Sequence, residues 1–187
     1  MSLPRIVAFS ASAGRPSRTR ALVEAVAEEL GRLRRVELSV YDLVDAGPDL
    51  CVTAREALPP SARALVEAIE GADGLIVGTP VYQGSYAGLF KHVFDFVQPE
   101  MMLGKPVALT ATGGGLRHAL VVEHALRPLF GFFAAHVAPT AVYACSAEMD
   151  GLVIADAGVA ERVRAAAAEL SDLVGIGRAG RAPLPPV

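Results

Sequence analysis

The sequence predicts an α/β domain built on a doubly wound parallel sheet with helices on both faces. Short apolar runs rich in Val, Ile, Leu and Tyr alternate with longer helix-like segments along the chain. The runs are almost continuously apolar, which is typical of strands buried on both faces. A length of 187 residues suits one domain, and a hydrophobic fraction of 52% supplies a large core.

The elements follow one another as strand, helix, strand. The first run, "RIVAFS", gives way to small residues and hydroxyls and then to a helical pattern that Ser17 can cap. The predicted strands are Arg5–Ser10, Val36–Tyr41, Gly74–Thr79, Pro106–Ala111 and Ala138–Ala144. The predicted helices are Ser17–Gly31, Pro60–Gly71, Tyr86–Val97, Arg117–Ala134 and the Ala-rich Val159–Leu173. Five strands in this alternation favour the flavodoxin-like arrangement.

The domain prediction covers residues 1–174, and the Gly- and Pro-rich residues 175–187 are interpreted as a flexible C-terminal tail. A net charge of -3 does not suggest a nucleic-acid partner. Cys51 and Cys145 have neither metal-ligand nor redox spacing and are interpreted as reduced thiols. The start, "MSLPRIVAF", lacks the pattern of a signal peptide, and no apolar run would span a bilayer. We expect a cytoplasmic protein with no metal site and no membrane partner.

Three loops follow predicted strands at the edge where ligands bind in open α/β sheets. They are "SASAGRPSRT", "TPVYQGSYAG" and "ATGGGLRH". The first lacks both the spaced glycines of a dinucleotide loop and the Gly-Lys-Ser/Thr ending of a triphosphate loop. Its hydroxyls precede a helix, whose exposed N–H groups attract anions, and Arg15 or Arg18 can add a charged fork. This chemistry suits a phosphate monoester; the alternative is that Ser17 only caps the helix and the arginines are solvated.

The second and third loops have features that suit a planar ring. Residues 80–84, Pro-Val-Tyr-Gln-Gly, combine an apolar surface with accessible backbone groups. Thr112 and the three glycines after it let a flat ligand approach the backbone closely, although a flexible turn is an alternative. An apolar stripe in the following helix either covers the sheet or forms a dimer interface beside the ring. The stripe consists of Phe90, Val93, Phe94 and Val97.

Together the loops describe a pocket for flavin mononucleotide (FMN). The segments "AGRPSRT", "TPVYQGSYAGLFKHVFD" and "ATGGGLRHALVVEHALRPLFGFF" resemble the NAD(P)H-dependent FMN reductases. They most resemble the reductases of two-component alkanesulfonate and methanesulfonate monooxygenase systems, over the chain up to about Leu170. The resemblance implies hydride transfer from NADH or NADPH to FMN and delivery of reduced FMN to a flavin-dependent monooxygenase. No catalytic side chain is assigned, since stacking the two rings suffices.

The expected FMN contacts come from all three loops. They are Ser10, Ser12, Arg15, Ser17, Arg18, Thr19, Pro80, Val81, Tyr82, Gln83, Gly84, Ser85, Thr112, Gly113, Gly114, Gly115 and His118. The resemblance also implies that His124 is an inserted residue in a π-bulge at a subunit interface, where it affects how firmly FMN is held. The alternative is an ordinary interface histidine.

We expect a homodimer or homotetramer, because the apolar stripe and "LRPLFGFF" exceed what one sheet face needs. The rival function is a quinone or azo reductase that keeps FMN as a bound prosthetic group in the same pocket. A flavodoxin-type electron carrier fits less well, because the composition is not strongly acidic and contains no tryptophan to flank the ring.

Overall fold

The computed structural model, which describes residues 2–179, has a parallel sheet at its centre. The strands are β1 (Arg5–Ser10), β2 (Glu37–Asp42), β3 (Gly74–Tyr82), β4 (Ser85–Tyr86), β5 (Pro106–Gly113), β6 (His136–Val137), β7 (Val142–Cys145), β8 (Met149–Asp150) and β9 (Val153–Ile154). The helices are α1 (Arg18–Leu33), α2 (Leu43–Ala46), α3 (Pro60–Gly71), α4 (Gly88–Asp95), α5 (Arg127–Phe132) and α6 (Ala157–Ala179). A π-helix, Val122–Leu126, precedes α5.

The order of the parallel strands is β2-β1-β3-β5, with β6 and β7 both paired to β5 at the far edge. This is the flavodoxin-like order, and the predicted fold class is confirmed. The predicted fifth strand, Ala138–Ala144, is instead two short strands. Ala138 still donates its N–H to the Val107 carbonyl at 2.8 Å, but the N–H of Thr140, the next residue that could bond β5 in this register, donates to the Glu169 carboxylate at 2.6 Å instead.

Each face of the sheet carries its own apolar layer. On one face α1 and α6 pack through residues such as Leu22 and Leu170, which are fully buried. On the other face the rings of Phe9, Phe90 and Phe94 pack together, with centroids 4.9 to 6.2 Å apart. The whole apolar stripe of α4 is therefore buried within one chain. The expected surplus of apolar surface is therefore absent from α4, and in "LRPLFGFF" only Phe132 is a largely exposed aromatic, at 74%.

The predicted helix Arg117–Ala134 is divided into a 3₁₀ turn (Leu116–His118), the π-helix and α5. In the π-helix the Arg127 N–H donates to the Val122 carbonyl, five residues back. Pro128 contributes to this irregularity, because it has no N–H to donate to the His124 carbonyl. The π-bulge implied by the resemblance is present, and His124 lies inside it with an exposed side chain.

The last helix is longer than predicted and continues to Ala179. Residues 175–179 therefore extend α6 and do not begin a tail. A helical glycine costs only about 1 kcal/mol relative to alanine. Burial of Val174 anchors the helix where the glycines begin. The rest of the predicted tail, residues 180–187, lies outside the described residues. Across residues 2–179, no helix is both long enough and apolar enough to cross a membrane.

Candidate functional site

A cleft opens where β1, β3 and β5 end, beside the switch in strand order. It consists of two neighbouring cavities of about 290 and about 240 Å³, and Pro80 and Tyr82 line both. The larger, called the loop cavity, is also lined by Ser12, Ala13, Gly14, Arg15, Pro16, Ser17 and Thr19. The smaller, called the ring cavity, is also lined by Arg18, Val81, Thr112, Gly113, Gly114, Ala144, Cys145 and Ser146. The two cavities are therefore immediate neighbours along one cleft.

Hydroxyl groups surround the base of the loop cavity. Ser17 caps α1, because its Oγ accepts from the Arg20 N–H at 3.2 Å, so the capping interpretation holds. The Ser17 side chain also lines the cavity. The buried hydroxyls of Thr19 and Thr112 lie 2.6 Å apart and tie α1 to the end of β5. The N-terminus of α1 thus lies beside the loop cavity, where its N–H groups favour an anion.

The arginine of the first loop is paired, not solvated. Arg15 donates from Nε and Nη2 to the Asp42 carboxylate at 2.7 and 2.9 Å, and from Nη2 to Asp45 at 2.6 Å. Arg20 joins the cluster through Asp42 at 2.6 Å and Glu24 at 2.8 Å. Burial acts to raise the pKa of Asp42, but the bonds from Arg15 and Arg20 outweigh it and hold that pKa below its usual value. Asp42 is therefore a buried, ionised anchor for the loop.

Arg18 faces the other cavity and has different partners. Its Nη1 donates to Ser146 Oγ at 2.8 Å and its Nε to the Gly151 carbonyl at 3.3 Å. Both partners are neutral, and no carboxylate of the described residues forms an ion pair with it. The two arginines that the sequence places together therefore serve opposite ends of the cleft.

Tyr82 projects from a tight hairpin between β3 and β4 and is 64% exposed. The two residues at the turn, Gln83 and Gly84, have φ angles of 49° and 82°. Positive φ at both central residues is the type I′ geometry that suits a two-residue hairpin. The Thr79 hydroxyl accepts from the Ala87 N–H at 2.9 Å and ties the base of the hairpin. This turn holds the phenol ring at the boundary between the two cavities.

The glycine loop after β5 is shaped by Tyr143 of β7. Its hydroxyl donates to the Gly115 carbonyl at 2.6 Å. A Cβ on Gly113 would lie 2.3 Å from that hydroxyl oxygen, so this position has no room for a side chain. Gly114 has open space around it and borders the ring cavity. Burial raises the pKa of Tyr143, so the phenol keeps its proton and remains a donor.

Eleven of the expected FMN contacts line the cavities, and six lie behind or beside them. Those six are Ser10, Gln83, Gly84, Ser85, Gly115 and His118. Ser10 is fully buried and donates to Ser12 at 3.1 Å, so it supports the loop from below. Among residues 2–179, no three His, Cys, Asp or Glu side chains are grouped so that they could hold a metal ion.

Several residues that line or support the cleft lie outside the three loops singled out from the sequence. Asp42 and the wall residues Ala144, Cys145 and Ser146 were not predicted. The predicted second strand stopped at Tyr41, one residue before the carboxylate. The rule applied to the other strands, that functional groups follow the carboxyl end, would have found Asp42 at the end of β2 and Cys145 at the end of β7.

Comparisons with known proteins identify the relatives of this chain. The profile of the NADPH-dependent FMN reductase family matches residues 4–150. An FMN reductase (NADPH) from Pseudomonas aeruginosa is 43% identical over 172 residues, which cover 91% of this chain and 92% of that protein. The NADH-dependent FMN reductase SfnF from Pseudomonas fluorescens is 44% identical over 177 residues, covering 94% and 95%. The solved structure of an oxidoreductase from Corynebacterium diphtheriae superposes with a TM-score of 0.83 at 32% identity, covering 93% and 98%.

Proposed function

We propose, for a chain that belongs to the NADPH-dependent FMN reductase family, that FMN lies along the cleft with its phosphate in the loop cavity and its ring in the ring cavity. The family resemblance, the oxidoreductase class and the use of FMN and NAD(P)H are confirmed by the family match and the relatives. The observation that carries the placement is the pair of joined cavities, one with hydroxyls and a helix start, the other with aromatic and glycine walls.

The loop cavity fits a phosphate monoester. The hydroxyls of Ser12 and Ser17 can donate to it, Thr19 can do so when Thr112 donates to Thr19, and the first N–H groups of α1 add their partial positive charge. Arg15 uses Nε and Nη2 on carboxylates, and its Nη1 has no hydrogen-bond partner among the described residues. That Nη1 group would contact the phosphate. The side chain of Arg15 is 46% exposed, so it can reach a ligand.

The ring cavity fits a planar aromatic ring. Pro80, Val81 and Tyr82 supply a surface against which such a ring packs, and Gly114 admits its edge close to the backbone. Bound FMN would supply the hydride-accepting chemistry. The chain holds the ring in place and leaves one face open to the nicotinamide. This orientation is the catalytic contribution that we assign to the protein.

The reduced flavin goes to a partner enzyme in this proposal. The segment "RHALVVEHALRPLF" supports a monooxygenase partner in sulfonate desulfonation, because it carries the most specific resemblance to reductases of those systems. We also propose a cytoplasmic homodimer or homotetramer. Leu116, in the 3₁₀ turn, and Leu120, in the turn that leads into the π-helix, are 66% and 62% exposed. They are spaced four residues apart, and the exposed His124 follows four residues later inside the π-helix. Exposed leucines at this spacing favour an interface there rather than on the buried stripe of α4.

Steady-state kinetics test the proposal against a quinone or azo reductase. NAD(P)H oxidation by purified protein is measured while free FMN is varied, and then with FMN stoichiometric and a quinone or azo dye varied. Saturation by FMN as a substrate, with reduced FMN released, is expected. Full turnover of the organic acceptor with only stoichiometric FMN would instead favour the prosthetic-group enzyme.

A further inference from the structure

The charge balance around the loop cavity has a consequence for how long FMN stays bound. The cluster contains the guanidinium groups of Arg15 and Arg20 and the carboxylates of Asp42, Asp45 and Glu24, all joined by ion pairs of 2.6 to 3.6 Å. Its net charge is -1. A phosphate dianion that contacts Arg15 therefore meets a guanidinium whose charge is already offset.

Asp42 and Asp45 contribute to this cluster in different ways. The Asp42 side chain is completely buried, bonds both arginines and accepts from the N–H groups of Val44 and Asp45. It is a structural anchor. The Asp45 side chain is 35% exposed; its Oδ1 accepts from Arg15 and its Oδ2 from the Asp42 N–H. One neutral oxygen can replace part of this role, so the charge of Asp45 can be removed without removing the anchor.

We propose that Asp45 lowers the affinity for FMN by offsetting the charge of Arg15, so that FMN exchanges as a substrate and is not retained. The inference rests on the proposed function, since it concerns the phosphate end of the same flavin. A reductase that hands its flavin to a partner needs release as well as binding. A carboxylate that pairs with the phosphate-binding arginine, as Asp45 does, would speed release of the flavin without changing the ring end of the cleft.

Asp45→Asn tests the idea, because the amide keeps the size of the side chain and one acceptor oxygen. FMN and riboflavin dissociation constants are measured by quenching of flavin fluorescence, with NAD(P)H oxidation as a second readout. FMN affinity should rise about three- to tenfold, while riboflavin affinity changes less than about twofold because riboflavin carries no phosphate. The KM for FMN should fall in parallel. A purely structural role for Asp45 predicts the opposite, a loss of affinity.

Two further variants keep the test sharp. Glu24→Gln removes a carboxylate from the same cluster without changing the cap of α2, which Asp42 and Asp45 form. It should also raise the affinity for FMN, by a smaller factor. If Asp45→Asn does not fold, unchanged FMN affinity in Glu24→Gln would count against the charge-offset explanation on which the role of Asp45 rests. Glu29→Gln is the matched control, since Glu29 pairs with Arg32. It lies about 16 Å along α1 from the first residue of the helix, and it should leave both flavins unaffected.

Several results would overturn the inference. Unchanged or weaker FMN binding in Asp45→Asn would do so, as would an equal shift for both flavins or a shift as large in Glu29→Gln. If the parent protein reduces FMN and these variants fail to tighten it, only the role of Asp45 is wrong. If the parent neither binds FMN nor oxidises NAD(P)H in its presence, the proposed function is wrong and the inference falls with it.

Discussion

Replacing Gly113 by alanine should destabilise the protein through a collision with Tyr143. The new Cβ would lie 2.3 Å from the phenol oxygen and 3.2 Å from Cζ, closer than contacting atoms normally approach. The phenol is held by its bond to the Gly115 carbonyl, and the side chain is only 8% exposed. Overpacking costs about 1–3 kcal/mol and a lost hydrogen bond about 0.5–1.5 kcal/mol. We expect the free energy of unfolding to fall by about 2–4 kcal/mol.

Urea unfolding of flavin-free protein, followed by circular dichroism, measures this loss without any contribution from ligand binding. Gly114→Ala is the matched control, because a Cβ at Gly114 meets no atom within 4 Å. Its effect should stay within about 0.5 kcal/mol.

A double-mutant cycle then tests the cause. Tyr143→Phe removes the colliding oxygen and alone should cost about 0.5–1.5 kcal/mol. In the Gly113→Ala background the same change should cost nothing or restore stability, which gives a coupling of at least about 0.5 kcal/mol. Additive losses in the double variant would refute the steric explanation, and a parent-like Gly113→Ala protein would refute the prediction itself.

Three other predictions concern the phosphate end, the acid stability and the π-helix. Arg15→Ala should weaken FMN about ten- to hundredfold and riboflavin hardly at all, by loss of a charge-assisted contact; equal losses for both flavins in a binding titration would contradict it. Glu70→Gln should be most destabilising near neutral pH. Burial acts to raise the pKa of Glu70, but hydrogen bonds from Arg55 and the Gln98 N–H hold it below its usual 4.5. Because the pKa of Glu70 is lower in the folded state than in the unfolded state, its ionised carboxylate stabilises the fold at pH values above the unfolded-state pKa. This contribution is lost as the pH falls through the folded-state pKa. The difference between parent and variant in the free energy of unfolding by urea should therefore shrink below pH 4.5. Deleting His124 should remove the extra residue of the π-helix, leaving only the hydrogen bond missing at Pro128, and make FMN co-purify with loss of turnover of free FMN; a colourless variant with parental turnover would make His124 a packing residue.

The main strands and the ligand edge of the sheet could be predicted because both depend on local composition. The apolar run at Arg5–Ser10 is a strand with the predicted bounds, and the helix Pro60–Gly71 also agrees at both ends. Three of the loops that follow strands do meet in one cleft, because parallel strands place their carboxyl ends along one edge. For these features, neighbouring residues carry the information.

Other features depend on residues far apart in the chain. Arg15 is paired with carboxylates 27 and 30 residues away in the chain. Helix and strand periodicity relates only residues a few positions apart, so it could not predict this pairing. The apolar stripe of α4 looked like surplus surface because the sequence did not show that Phe130 would pack against Phe94, with ring centroids 5.1 Å apart. The division of the fourth helix requires a backbone shift that helical periodicity does not reveal. The Arg15 ion pairs and the burial of the α4 stripe both depend on contacts between segments that are distant in the sequence.

The pairing of Arg15 has a consequence for the phosphate site that we propose in the loop cavity. With the Arg15–Asp42–Asp45 charges offset, a dianion is held mainly by directional donors, namely the Nη1 group of Arg15, the serine and threonine hydroxyls and the N–H groups at the start of α1. Such donors select a ligand by its geometry, and water takes the place of the phosphate as their hydrogen-bond partner when the ligand leaves. Net cationic charge would instead attract any anion and slow its release. A pocket that is rich in donors but not in net positive charge therefore fits a flavin that must be recognised, reduced and let go.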